Sequence, residues 1–277
     1  MPDTLINNEL RVVSAAVGTA LDNAVTQPDT LSFPAGTEYL YLEGRNYSTA
    51  VVIRYALNPW LTVLLTTDNL DTAPTDGSDG CQNNNATSTA LTLNSLSTLA
   101  NGDYLLIGSH VPFRGVAVDV TNTNSNANSI LVEYWNGSAW VDTSATDGTA
   151  SGGVSLAQDG LVTWTVPTAW ATEALSSMAR KPADSSDIAD GDAWEGLHRS
   201  LYWTRWSWSA ALDSSVTIVQ MHALNRSTAY TSLTSGRPGV GQFVRRGVLG
   251  FGSLEALTDA GTANLIAIAG SGRGWFG

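Results

Sequence analysis

Two stretches decide the fold: GVAVDV, residues 115–120, and LVTWTV, residues 161–166. Val116, Val118 and Val120 fall on one side of the first, and Val162, Trp164 and Val166 on one side of the second. A period of two is that of a strand with one buried face. A slip of one residue would turn every valine to water, so the register is firmly set. LYWTRWSWS, residues 201–209, repeats the pattern, with Tyr202, Thr204, Trp206 and Trp208 on one face and Leu201, Trp203 and Arg205 on the other. VTIVQMHAL closes the run at Leu224. Two antiparallel sheets packed face to face bury such alternating sets, which predicts an all-β chain with a jelly-roll-like central β-sandwich over residues 89–224.

Working outward, EYLYLEG, STAVVIRYAL and WLTVLLTT read as three strands separated by turn sequences, a small antiparallel β subdomain over residues 35–72. Residues 1–34 carry only weak patterning and read as an N-terminal arm. Residues 73–88 lie in a stretch rich in Asp, Asn, Gly and Ser and read as a linker. Residues 225–277 are rich in glycine, with two apolar bursts, too poor for a core of their own and too apolar to float free; they read as an assembly arm.

Composition narrows the function. Hydrophobic residues make up 43% of the chain and charged residues 14%, with 26 glycines, which suits short strands and polar turns. The net charge of −12 argues against a sequence-independent grip on nucleic acid and against an anionic membrane surface. Cys81 is the single cysteine, so no intrachain disulfide is expected. No signal peptide is expected at the N-terminus, and no apolar run approaches the roughly 20 residues of a spanning helix.

The three histidines, His110, His198 and His222, share no zinc-binding spacing, and no nucleophile elbow occurs, so no enzymatic activity and no cofactor are expected. Asp184, Asp187, Asp190 and Asp192, in the long segment 174–196, are oxygen ligands of the kind calcium takes, but they do not match an EF-hand loop and read first as a solvated loop. The same holds for Asp68, Asp71, Asp76 and Asp79. TNTNSNAN, residues 121–128, is a second polar loop long enough to suggest binding.

EYWNGSAWV, residues 133–141, reads as a hairpin turning at Asn136-Gly137, a type I′ pair. Trp135 and Trp140 flank that turn. They fit three roles: core packing, a subunit contact, or with Asn136 a platform for glycan.

The run from Gly102 to Ile218 resembles a β-sandwich module that recurs in virion structural proteins of tailed bacteriophages and related viruses. The shared pieces are Phe113 to Gly115, the EYWNGSAW hairpin, the DGT and GG loop, Thr163-Trp164 ahead of a proline and Trp170, and the LYWTR strand. The chain departs from the module between Trp170 and Leu201, where its connection is much longer. The resemblance implies a particle component without enzymatic activity and carries over no catalytic residue. It leads to the expectation of a virion protein, on the capsid as decoration or spike or in the tail or baseplate. Its partners would be copies of itself and other virion proteins. Arg245, Arg246, Trp275 and Phe276 are the expected subunit contacts of the C-terminal arm, with folding back onto the sandwich as the other possibility. The alternative function is a module that binds host-surface glycans.

Overall fold

The computed structural model describes residues 11–12, 19–21, 29–32, 39–45, 52–70, 72–82, 89–97, 102–178, 199–224, 231–233, 241–245, 251–258 and 263–270. The chain divides into two compact units, Met1–Asn58 with Ser227–Gly277, and Pro59–Arg226.

The first unit takes strands from both ends of the chain. From the N-terminal side come β1 (Arg11–Val12), β2 (Thr19–Leu21), β3 (Asp29–Ser32), β4 (Tyr39–Arg45) and β5 (Ile53–Pro59). Among the described residues the second unit contributes twelve strands. They are β6 (Thr62–Thr67), β7 (Thr75–Asp76), β8 (Leu91–Thr92), β9 (Asp103–Ser109), β10 (Gly115–Asn122), β11 (Ile130–Trp135), β12 (Trp140–Asp142), β13 (Thr146–Asp147), β14 (Gly160–Thr163), β15 (Thr172–Glu173), β16 (Leu201–Trp208) and β17 (Thr217–Leu224). A single turn of helix, α1 (Leu175–Met178), follows β15. The chain then returns to the first unit with β18 (Thr231–Ser232), β19 (Gly241–Arg245), β20 (Phe251–Thr258) and β21 (Ala263–Gly270).

In the first unit, one sheet runs β1-β21-β4-β19, with β2 also on β21, and the other runs β18-β5-β20-β3. Leu40 and Leu42 of β4, Ile53 and Tyr55 of β5, Leu254 and Ala256 of β20 and Leu265 of β21 meet in one core. Tyr41, Glu43 and Arg45 of β4 lie outside that core: Arg45 Nε donates to Glu43 Oε1 at 2.7 Å, and Tyr41 donates to the other oxygen of the same carboxylate.

This arrangement corrects the expected boundaries. EYLYLEG, STAVVIRYAL and WLTVLLTT do not form one small sheet: β4 pairs with β19 and β21, β5 with β18, and β6 joins the sandwich through β9. The N-terminal arm and the C-terminal arm are not separate arms, since strands from each pair with the other. The physical reason is that neither end carries enough alternating apolar surface to close a core, whereas the two ends together supply both sheets. The sandwich segment is thus an insertion, and β18, just after its return, pairs with β5, just before its exit.

In the second unit the five-stranded sheet β13-β14-β10-β17-β8 faces the larger sheet β12-β11-β16-β9-β6-β7, on which β15 pairs with β16. The chain alternates between sheets, from β9 to β10 to β11 and again from β16 to β17, as jelly rolls do. Val116, Val118, Val162 and Trp164 meet Leu105, Ile107, Val132, Trp206 and Trp208 in the core. The faces assigned by period two are those the sheets bury.

Aromatic rings fill one region of that core. Phe113 packs edge-on against Trp164 at 5.5 Å between centroids, Trp164 against Trp206 at 6.4 Å, and Trp170 against Tyr202 at 5.8 Å. Three of the buried indoles find acceptors: Trp164 Nε1 donates to Phe113 O, Trp170 Nε1 to Trp203 O, and Trp206 Nε1 to Thr204 Oγ1, whereas the buried Trp208 Nε1 has none. Rings with satisfied N–H groups pack without an electrostatic cost.

Two polar stretches also prove structural. Within the expected linker, β7 pairs with β6, Ser78 Oγ accepts from Val63 N, and the Gln82 amide both accepts from Leu61 N and donates to Leu61 O. Cys81 lies in the sandwich core, where burial pushes its thiol up to about 12. In TNTNSNAN, the buried Asn124 amide accepts from Asp213 N and donates to Ser155 O and Asn128 Oδ1. That loop ties β10 to two other connections, and the polar groups that suggested binding satisfy one another.

Candidate functional site

Every second residue of β16 points away from the sandwich core. Leu201 and Trp203 join Leu64 of β6, Leu106 of β9, Leu70 and Leu175 in a separate cluster on the outer face of the larger sheet. Trp203 is fully buried there, and its indole N–H donates to Glu173 O at 3.0 Å. The helical turn α1 covers this part of the face through Leu175.

One step further along β16 stands Arg205. The register sets it opposite Glu133, and its Nε and Nη2 both donate to Glu133 Oε2, at 2.9 and 2.7 Å. The guanidinium carbon lies 4.6 Å from the centre of the Tyr104 ring and 4.9 Å from that of Trp140. Trp135 packs edge-on against Trp140 at 5.5 Å. The cation is therefore held by a carboxylate in the sheet and by two ring faces, an arrangement in which both the charge pair and the cation–π contacts gain from partial burial.

Between this cluster and α1 lies a small open hollow of about 30 Å³, room for about one water. Leu70, Leu106 and Leu175 make its buried floor, and Asn69, Tyr104, Trp140, Met178 and Arg205 stand around it. Asn69 and Leu70 both have left-handed backbone, with φ of 58° and 70°. A branched, bulky residue in that region costs on the order of 1–3 kcal/mol. It is held there by Leu70 N donating to Thr66 Oγ1 and Asn69 N donating to Gly102 O. Such strain directs the Leu70 side chain into the hollow.

The candidates named from the sequence fare differently. Trp135 and Trp140 come together and are half-buried on the outer face, with one face of Trp140 taken by Arg205. Asn136 does not look outward through its oxygen, which accepts from Ser138 N, Ser138 Oγ and Ala139 N. The hairpin turn is also not the expected type I′ over Asn136-Gly137. Trp135 pairs with Trp140, and within the turn only Gly137, at φ 98°, is left-handed, while the Asn136 side-chain oxygen accepts from the turn's own N–H groups. Arg245 ends β19 opposite Tyr39, its side chain outside the described residues, as are Arg246, Trp275 and Phe276. Asp184, Asp187, Asp190 and Asp192 likewise lie outside them, as does Asp71. Among the described residues no group of three or more His, Cys, Asp or Glu side chains is gathered for a metal. Asp68 and Asp76 bond to hydroxyls of their own turns.

Tyr104 and Arg205 were missed by the sequence reading as site residues. The available signal was a cation alternating with aromatic residues on the outward face of LYWTRWSWS; the cross-strand partners that give it meaning come only with the register.

Two other titratable groups sit in the five-stranded sheet. Burial, and secondly the charge of Asp159, pushes Asp119 up to about 6. Burial pushes His222 down to about 4. As pH falls from about 6 the native chain binds a proton at Asp119 before the unfolded chain does, which adds stability down to the ordinary value of 3.8. His222 acts in reverse: the unfolded chain is protonated first, below 6.5, and stability is lost as pH falls towards 4. The two contributions oppose each other across the same window. Asp119→Asn therefore unmasks the histidine, and the variant loses about 2 kcal/mol relative to wild type between about pH 7 and pH 4. Urea unfolding of both proteins at each pH measures that difference; parallel profiles would refute the opposition.

Compared with family models, with curated proteins and with solved structures, the chain matches none of them.

Proposed function

We propose that this chain is a non-enzymatic structural component of a tailed-virus particle, a capsid decoration or spike or a tail or baseplate protein, that assembles through contacts between subunits. The observation that carries the reading is where the resemblance residues fall. Phe113, Trp164, Trp170 and Trp206 pack on one another inside one sandwich, with their indole N–H groups bonded within it. The DGT and GG loop is likewise architectural: Asp147 Oδ1 accepts from Thr149 N, and Thr149 Oγ1 in turn accepts from Leu156 N. A motif most of whose aromatic residues serve the frame suits a module reused for its shape and not for a reaction.

The insertion supports the same reading. The sandwich segment leaves the first unit after β5 and the chain re-enters it at β18, which pairs with β5, so a self-contained unit is inserted into one that uses both flanking segments of the chain. In a symmetric particle, weak contacts of such units are multiplied.

Quantitative peptide mass spectrometry of purified particles tests the proposal. The expected result is this chain at a fixed copy number per particle, high for a capsid or tube protein and low for a tip. Particles that lack the chain while the infected cells contain it would overturn the proposal.

A further inference from the structure

We infer that Asn136 is a site of spontaneous covalent modification, at which the hairpin between β11 and β12 converts its own asparagine to isoaspartate and aspartate. The reaction needs an asparagine whose successor offers an unencumbered backbone nitrogen. Gly137 is that successor: it is exposed, and its N–H makes no hydrogen bond among the described residues. Without a Cβ, it leaves the approach to the amide carbon open. The side chain is already folded towards it. Asn136 Oδ1 accepts from Ser138 N at 2.9 Å, from Ser138 Oγ at 3.0 Å and from Ala139 N at 2.9 Å, which draws the carboxamide over the Gly137 peptide. In the step itself the Gly137 N–H gives its proton to hydroxide and its nitrogen forms a bond to Asn136 Cγ. The negative charge collects on Oδ1, where three donors already stand. The Cγ–Nδ2 bond then breaks, and ammonia leaves with a proton from water, which restores the hydroxide. A second water opens the cyclic imide at either carbonyl, giving aspartate or a backbone that runs through the former side chain.

Other asparagines lack these features. Among the described residues Asn136 alone precedes a glycine. Asn58 precedes Pro59, which has no N–H to attack with. Asn124 is buried, and its amide nitrogen, which would be the leaving group, donates to Asn126 O, Asn128 Oδ1 and Ser155 O. Asn128 donates to Ala210 O, and the N–H of the next residue, Ser129, is taken by Ser209 Oγ. The Asn136 amide nitrogen makes no hydrogen bond among the described residues, so nothing holds it back as it departs. The product acts on the cluster beside it. Trp135 and Trp140 close the hairpin as a cross-strand pair with ring centroids 5.5 Å apart, and Trp140 gives one face to Arg205. Aspartate keeps an acceptor in the turn, whereas isoaspartate adds one carbon to the backbone between the two indoles and disturbs their register. Either product places a new negative charge at the tip, and the change is irreversible.

Peptide mapping by mass spectrometry tests the inference on the full chain incubated at neutral and mildly alkaline pH, with electron-transfer fragmentation to tell isoaspartate from aspartate. Asn136 is expected to convert at least as fast in the folded chain as in the same chain unfolded in guanidinium chloride, and faster as hydroxide rises. Ser138→Ala removes one donor to Oδ1 and leaves the backbone donors in place. It should slow the folded-state reaction about fivefold at unchanged melting temperature, with little effect on the unfolded chain. An Asn136 that stays an amide in the folded chain while the unfolded chain converts overturns the inference, because the turn would then protect the residue. So does a folded-state rate that Ser138→Ala leaves unchanged.

Discussion

Trp164→Ala is expected to lower the unfolding free energy by about 4 kcal/mol, a large part of the stability of an ordinary domain. Trp164 is 6% exposed and touches the rings of Phe113, Trp170 and Trp206. Truncation removes a large apolar surface and leaves a cavity that the neighbours cannot close, because two of them are themselves hydrogen-bonded in place. It also leaves the Phe113 carbonyl without the indole donor 3.0 Å away. Trp164→Phe separates these causes, since it restores much of the volume but not the donor, and should recover about half of the loss. Trp140→Ala is the internal control. Its ring is half-buried on the outer face, and it should cost no more than about 2 kcal/mol. Urea midpoints for the three variants, at unchanged m-value, decide the matter. Equal losses for Trp164→Ala and Trp140→Ala would mean that the inner and outer faces of the sandwich have been wrongly told apart.

That distinction was legible in the sequence because period two is a local signal. Val116, Val118, Val162 and Trp164 could be placed on buried faces by counting, and the structure buries them; counting put Trp206 and Trp208 on one face with Tyr202 but did not say whether that face was buried. What could not be counted was which strands become neighbours. β4, β5 and β6 are consecutive and all apolar, and proximity in sequence suggested one sheet. Their true partners come from more than 160 residues away or, for β6, from β9 in the sandwich unit, and nothing in a strand's own pattern names its neighbour. The polar stretches failed for a related reason. Gln82 and Asn124 look solvated in sequence, yet they close gaps between backbone segments, a role visible only once those segments are adjacent. The candidate site follows the same rule. Trp135 and Trp140 were recognised because a hairpin is local, while Tyr104 and Arg205 arrive from β9 and β16, and the cluster exists only through the order β12-β11-β16-β9.

The same strand order creates the tightest contact on the outer face, and it yields the second large effect. Gly108→Val is expected to destabilise the chain by about 3 kcal/mol. Gly108 of β9 is directly paired with Trp203 of β16, and a Cβ at position 108 would stand 2.5 Å from Cε3 and Cζ3 of the indole. Ordinary contact begins nearly an ångström farther out, so one of the two must move. Trp203 has nowhere to go: it is fully buried under Leu175, and its N–H is bonded to Glu173 O. Moving it would break that bond and lift α1 from the sheet. Valine has good intrinsic strand propensity, so a backbone preference would predict a stabilising change; the clash predicts the opposite sign. A double-mutant cycle separates packing from any other cause. With Trp203→Leu as the second change the indole is gone, and Gly108→Val should then cost less than about 1 kcal/mol, a coupling of about 2 kcal/mol or more. If the two substitutions prove additive, the indole does not lie over Gly108, and the outer face, with the site built on it, is not arranged as described.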